Sequence, residues 1–245
     1  MADHVYLSPH LDDAVFSCGG VIYQQTSMGD EVLVVTICAG EPMTDQLSLF
    51  AQGLHERWGI DQASVEVRRE EDLRACARLG AQVLHLPVPE AIYRLRADGT
   101  PTYASEEAIF GKLHPSEDEL QDHVAGMLEE ICLGDVPVYV PTGFGGHVDH
   151  LLLRGAVSRL EINALYYRDF PYAMRGVGVT TNFKLPSGEE YRIQLLDHEI
   201  RVWVEAVKEY ESQLSTFWTD IRTIEGELQK AHDQMGGIPF LSPSR

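Results

Sequence analysis

Short apolar runs alternate with amphipathic stretches over the first 167 residues of the 245-residue chain. The runs are rich in β-branched residues, as buried strands are, and they occupy residues 5–7, 31–39, 82–86, 136–140 and 164–167. Stretches with helical spacing lie between them, at residues 13–28, 62–79, 117–133 and 149–161. This alternation favours right-handed strand–helix–strand units with parallel strands. We therefore predict an α/β fold: a mostly parallel sheet with helices on both faces.

The chain beyond residue 172 has a different pattern. Residues 182–196, with Ser187-Gly188 near their centre, predict a β-hairpin, and residues 197–232 predict two helical segments. We expect one domain over residues 1–245, with a core at about 4–172 and a C-terminal elaboration at about 173–245. Long connections at residues 40–60 and 87–116 are expected to shape a binding site, because such loops often carry function.

Charge and apolar content exclude some partners. The formal net charge of −19 argues against a nucleic-acid backbone or an anionic membrane surface, since both attract basic patches. No apolar run approaches the roughly 18 residues that suggest a membrane-spanning helix, and no signal-peptide pattern is evident. We expect a soluble, cytoplasmic protein. The sequence leaves open whether it forms a homo-oligomer. The four cysteines form no C-x-x-C pair and are expected to be buried, reduced thiols.

Two polar motifs follow two of the predicted strands. The first motif supplies His10, Asp12 and Asp13 directly after residues 5–7, and the second supplies His147, Asp149 and His150 after residues 136–140. Ligands of open parallel sheets bind beyond the carboxyl ends of the strands, so we expect the two motifs to lie together. Helix N-terminal acids and a capped turn are the alternative explanations, but both motifs at corresponding strand ends disfavour them.

Two imidazoles and one carboxylate are typical ligands of a catalytic zinc, which keeps one position open for water. We predict that His10, Asp13 and His150 bind Zn²⁺, with Fe²⁺ as the alternative divalent ion. Metal-bound water is then the expected nucleophile, and Asp12 the general base.

The remaining polar residues receive secondary roles. We predict that His147 is an imidazolium that stabilises the oxyanion or protonates the leaving nitrogen, and that Asp149 keeps it charged. Four residues near strand ends are predicted to bind substrate, with exposed salt bridges as the alternative for each: Arg68, Glu90, Arg94 and Asp169.

The two motifs in combination resemble those of the PIG-L/LmbE-like family of metal-dependent N-deacetylases. The resemblance covers roughly residues 4–172 and is carried by Pro9–Asp13 and Gly146–His150, with support from Arg68–Glu71, Leu79-Gly80, Pro89–Arg94 and Tyr166–Tyr172. It implies a Rossmann-like fold, zinc-dependent hydrolysis of an N-acetyl group, and the same roles for His10, Asp12, Asp13, His147 and His150.

The chain departs from the family pattern at four positions. Leu11 and Ala14 stand where the commoner motif has Pro and Glu, and Glu90 stands where Asp is more usual. Gly145 stands where some members have a tyrosine, so any tyrosine contribution to transition-state stabilisation must come from elsewhere or be absent.

The metal-ligand motifs predict a zinc-dependent hydrolase, and the family resemblance implies that it removes the N-acetyl group from an N-acetylglucosamine-type sugar conjugate. A second hypothesis keeps the metal but changes the bond to another amide, as in a thiol-conjugate amidase. A third is a non-catalytic carbohydrate- or metal-binding protein. Asp12 disfavours the third, because a binding protein needs no base beside its metal ligands.

Overall fold

A computed structural model describes residues 2–44, 46–59, 64–132, 134–174, 187–218 and 220–244. The strands within these ranges are β1 (His4–Ser8), β2 (Val32–Thr36), β3 (Gln82–His85), β4 (Val138–Pro141), β5 (Ala164–Tyr167), β6 (Gly188–Ile193) and β7 (Ile238–Pro243). They form one sheet in the order β3-β2-β1-β4-β5-β7-β6. The first five strands pair in parallel, and β7 pairs antiparallel with both β5 and β6. The predicted α/β fold with a mostly parallel sheet is confirmed.

The helices of the described ranges are α1 (Asp13–Met28), α2 (Leu49–Trp58), α3 (Ser64–Arg78), α4 (Glu106–Ile109), α5 (Asp118–Ile131), α6 (Val148–Val157), α7 (Asp197–Val207), α8 (Glu211–Phe217) and α9 (Ile224–Met235). Helix α1 ends where predicted, because Gly29 adopts a left-handed φ of 101° and its amide bonds back to the last turn. No helix of the described ranges is long and apolar enough to cross a membrane.

Apolar side chains cover both faces of the sheet. Successive residues of β1 point to opposite faces: Tyr6 belongs to one buried cluster, and Val5 and Leu7 belong to another. The first cluster includes Phe16 of α1 and Trp203 of α7, whereas the second draws on α5 and α6. All four cysteines are buried free thiols, as predicted, and burial raises their pKa values.

Helix α7 packs against α1, the helix that follows the first polar motif, and holds it in position. The Trp203 indole donates a 2.7 Å hydrogen bond to the Val15 carbonyl, inside α1. Gly19 permits this approach, because a Cβ atom there would lie 2.4 Å from the Trp203 ring. The C-terminal part of the chain therefore braces the helix whose first turn carries Asp13.

The C-terminal predictions are only partly met. The first arm of the predicted hairpin, residues 182–186, lies outside the described residues, and the second arm is β6, which pairs with β7. Strand β7 was missed because Pro239 and Pro243 disfavour a strand reading. The prediction of two helices over residues 197–232 is wrong, since α7, α8 and α9 are separate.

Two adjacent acids of α3 hold the start of α8. The Glu71 carboxylate accepts hydrogen bonds from the Ser212 amide at 2.8 Å and from the Ser212 hydroxyl at 2.6 Å. Asp72 accepts one from the Tyr210 hydroxyl at 2.6 Å. Glu71, Asp72 and Tyr210 are all at most 3% exposed. These buried bonds fix α8 relative to α3.

Replacing Glu71 by glutamine should destabilise the protein. The side-chain amide of a glutamine cannot accept both bonds as the two carboxylate oxygens do, and it leaves a buried polar group unsatisfied, which costs about 1–3 kcal/mol. Urea unfolding of E71Q measures this loss. The matched control is E70Q on the same helix, because Glu70 is exposed and such changes usually stay within about 0.5 kcal/mol. Equal stabilities of the two variants would contradict the anchoring role.

Candidate active site

The turn after β1 presents the first motif. Ser8 organises the turn, because its hydroxyl donates to the His10 carbonyl at 2.6 Å and accepts from the Ala14 amide at 3.0 Å. Asp12 precedes α1, yet no amide of this fully described helix donates to its carboxylate. The Asp12 side chain instead lines a cleft. Helix capping therefore does not explain why an acid stands at this position.

His10, Asp13 and His150 converge. Asp13 Oδ2 lies 3.0 Å from His10 Nδ1 and 3.3 Å from His150 Nε2. His150 Nε2 is buried and has no hydrogen bond of acceptable geometry to any described residue. Leaving such an atom unpaired is costly, and a cation between these three ligands would satisfy it. Two imidazole nitrogens and a carboxylate oxygen fit a divalent metal such as Zn²⁺.

Each candidate histidine ligand is held from behind by a carboxylate. Asp149 Oδ2 lies 2.9 Å from His10 Nε2, and Asp169 Oδ1 lies 2.6 Å from His150 Nδ1. A ring N–H donated to the carboxylate leaves the opposite nitrogen of each histidine unprotonated and facing Asp13. This arrangement fixes the tautomer and orientation of metal-binding histidines.

Asp169 and Arg94 were predicted to contact substrate, but their side chains point into the protein. Asp169 is 1% exposed and also accepts bonds from the Thr142 hydroxyl and the amides of Gly143 and Phe144. Arg94 is buried between Glu117 and Asp149 and donates to both at 2.5 Å. Neither side chain lines the cleft. Both therefore support the site from behind, because their polar atoms are used inside the protein.

Asp149 also differs from its predicted role. Its nearest partners are Arg94, His10 and the Ala91 amide at 3.0 Å, whereas His147 Nδ1 is 3.8 Å away. A second group of potential metal ligands comprises His10, His147 and Asp149. The charge and hydrogen-bonding capacity of Asp149 are already taken up by Arg94 and the Ala91 amide. The group around Asp13 is therefore the better candidate for a metal site.

His147 stands at the N-terminus of α6 and lines the cleft. Its Nδ1 accepts a 3.2 Å hydrogen bond from the Asp149 amide, so the neutral ring carries its proton on Nε2. Burial, followed by the proximity of His10, lowers the pKa of His147 well below its usual value. The contact to Nδ1 and the lowered pKa both favour a neutral ring that donates from Nε2, whereas the sequence predicts an imidazolium.

The carboxylates of the site favour the binding of positive charge, either as protons or as a cation. Burial disfavours protonated His150, but Asp13 and Asp169 outweigh it and raise the pKa of His150 to about 10. Burial and the charge of Asp13 raise the pKa of Asp12 to about 7, against the opposing charges of Arg68 and His10. A bound divalent cation would balance the negative charge of these carboxylates in place of protons.

A cleft lies above these residues. Two of the predicted substrate contacts, Arg68 and Glu90, line it and form a buried ion pair with each other. Its walls are mostly apolar and include Phe50, Leu54, Trp58, Ile92, Ile109, Phe110, Tyr172 and Phe217. Six of these eight residues lie in the connections at 40–60 and 87–116, which were expected to shape the binding site, but the individual residues were not predicted. Phe50, Leu54 and Trp58 recur every four residues within the connection at 40–60, a helical signal that could have identified them.

Replacing Asp169 by asparagine should weaken metal binding. His150 would lose the carboxylate that orients it, and loss of such a partner typically costs 10–100-fold in metal affinity. Competition with a chromophoric chelator measures the Zn²⁺ dissociation constant of D169N. D98N is the control, because Asp98 lies in an exposed turn. An unchanged dissociation constant in a folded D169N protein would contradict the supporting role of Asp169.

Comparisons with known proteins identify relatives of this chain. The family model "PIG-L: GlcNAc-PI de-N-acetylase" matches residues 5–160. A 2'-N-acetylparomamine deacetylase of Niallia circulans is 30% identical over 69% of this chain and 66% of its own length. Its namesake from Streptomyces fradiae is 32% identical over 68% of this chain and 56% of its own length. The matches thus span less than two thirds of these curated relatives.

A solved structure is similar over nearly the whole chain. The zinc-inhibited form of teicoplanin deacetylase Orf2 superposes with a TM-score of 0.84 at 26% identity, covering 97% of this chain and 96% of its own. The match to the family model includes both polar motifs, and the structural likeness includes the sheet that brings them together. The chain belongs to the PIG-L family.

Proposed function

We propose that this protein is a metal-dependent hydrolase that removes the N-acetyl group from an N-acetylglucosamine-type sugar conjugate. The observation that carries the proposal is the convergence of His10, Asp13 and His150 beside a carboxylate, Asp12, that no helix amide occupies. The relatives support it, because those curated proteins are named as deacetylases of an N-acetylated sugar compound.

The metal and Asp12 would share the activation of water. A divalent metal such as Zn²⁺, held by His10, Asp13 and His150, supplies polarisation of the acetamide carbonyl and a lowered pKa of water. Asp12 lines the cleft next to Asp13. Its carboxylate accepts a proton from the attacking water and passes it to the leaving amine.

His147 would act on the acetyl oxygen. Its Nδ1 is occupied by the Asp149 amide, so Nε2–H is the donor that can face the cleft. A fixed donor aimed at the developing oxyanion stabilises the transition state more than the ground state. The proposed role is therefore hydrogen-bond donation by a neutral ring.

Arg68 and Glu90 would bind the sugar. Their ion pair lies in the cleft, and the buried Arg68 Nε has no hydrogen-bond partner among the residues described. The guanidinium is further held over the Trp58 ring, with 5.0 Å from Cζ to the ring centroid. Glu90 can accept a hydrogen bond from a sugar hydroxyl, and its ion pair with Arg68 holds its carboxylate in the cleft.

The Asp12→Asn variant should lose activity but keep its metal. Asp12 is outside the ligand group, and loss of a general base typically costs about 10²–10⁴-fold in rate. Acetate release from N-acetylglucosamine glycosides by zinc-loaded D12N and wild type measures the effect, with chelator competition as the metal assay. E70Q, purified and loaded with zinc in the same way, is the control and should keep the wild-type rate, because Glu70 is exposed and does not line the cleft.

Equal rates for D12N and wild type would remove Asp12 from the mechanism. No acetate release by zinc-loaded wild type from any glycoside, together with hydrolysis of a thiol-conjugate amide, would favour the amidase hypothesis. Tight zinc binding with no hydrolysis of either would favour the non-catalytic binding protein.

Removal of the His147 ring should slow the reaction without releasing the metal. Loss of one oxyanion donor typically lowers kcat by about 10²–10³-fold. H147A and H123A make a matched pair, because His123 is an exposed histidine of α5. We expect a large loss of kcat only in H147A and nearly equal Zn²⁺ dissociation constants in both. An unchanged kcat in H147A would contradict the proposed donor.

A further inference from the structure

The outer part of the cleft is lined by apolar and aromatic side chains, which a sugar alone would not need. Resting on the proposed function, we propose that its apolar walls bind an aromatic aglycone attached to the N-acetylated sugar. Five of the side chains that line the cleft are uncharged aromatic rings: Phe50, Trp58, Phe110, Tyr172 and Phe217. Sugar hydroxyls need polar partners, whereas such rings favour apolar and aromatic ligands.

One wall is a single face of α2. Phe50, Leu54 and Trp58 are four residues apart and therefore lie in one row along the helix. All three are partly exposed and line the cleft, so their apolar surface is open to a ligand. The helix is fixed at its start, because Ser48 accepts a 3.1 Å hydrogen bond from the Ala51 amide.

The other wall is a row of rings that begins at the catalytic His147. Phe110 meets His147 edge-to-face at a centroid distance of 5.3 Å and meets Tyr172 at 6.4 Å. Tyr172 in turn meets Phe217 at 5.9 Å. Phe217 is carried by α8, whose start is fixed by Glu71 and Ser212. A sugar acetamide at His147 would thus place its aglycone along this row.

Local charge disfavours a polycationic aglycone. Asp12 and Asp13 lie at the metal end of the cleft, and Glu90 is paired with Arg68. Among the residues that the structure describes, the exposed rim offers one carboxylate, Glu106, together with the cation Arg57. The net charge of −19 would attract cations at long range, but several ammonium groups would find few partners in this part of the cleft.

The test compares zinc-loaded wild type on methyl and naphthyl β-glycosides of N-acetylglucosamine and on an N-acetylated polycationic amino sugar. We expect kcat/KM for acetate release to be at least about tenfold higher for the naphthyl than for the methyl glycoside, because ring burial adds favourable apolar contact. F50S should lower this ratio about tenfold. L49S is the matched control, because the neighbouring Leu49 is 86% exposed and does not line the cleft.

A binding assay separates this inference from the proposed function. Calorimetry measures binding of naphthyl and methyl β-glucosides, which have no acetamide, to wild type, F50S and L49S. We expect preferential binding of the naphthyl compound to wild type and L49S but not to F50S. Absence of acetate release would overturn the proposed function while leaving this binding preference measurable. Equal binding of both glucosides, or preferred hydrolysis of the polycationic substrate, would overturn the aromatic-aglycone proposal.

Discussion

The site depends on one carboxylate oxygen held between two histidines, of which His150 is buried. Asp13 Oδ2 lies within 3.3 Å of a ring nitrogen of both His10 and His150, and a second carboxylate stands behind each ring. These groups follow β1, β4 and β5, which are neighbours in the sheet and parallel to one another. Parallel pairing brings the carboxyl ends of the three strands to one edge. The order of the strands is therefore what assembles the ligands.

The ligand-supporting residues must themselves be held in place. Arg94 spans two buried acids, Asp149 and Glu117, so the charge behind His10 is neutralised within the protein. Removing one member of such a buried set would leave an uncompensated charge, which is strongly destabilising. On the other side of the sheet, Trp203 braces α1. The precision of the site thus comes from buried polar pairs and from close helix packing.

Local sequence patterns predicted the parallel strands, α1 with its glycine stop, and the coming together of both motifs. They did not predict which histidine each acid contacts. Asp149 is two residues from His147 in sequence, but it forms a hydrogen bond with His10, 139 residues away. Asp169 was likewise read as a substrate contact, since a strand-end position does not show which way a side chain turns. Strand β7 was missed because its prolines obscured the strand pattern. The α2 wall was missed because an apolar helix face that lines a cleft has the same sequence pattern as one that packs in a core.

The most direct test is a crystal structure of the zinc-loaded protein measured at the zinc absorption edge. We expect an anomalous peak for a zinc ion bonded to His10 Nδ1, Asp13 and His150 Nε2, at about 2.0–2.2 Å from each ligand atom. We also expect Asp149 and Asp169 to keep their contacts to the opposite ring nitrogens. A zinc ion bonded instead to His147 and Asp149, or no peak at this site in fully loaded protein, would contradict the proposed metal site.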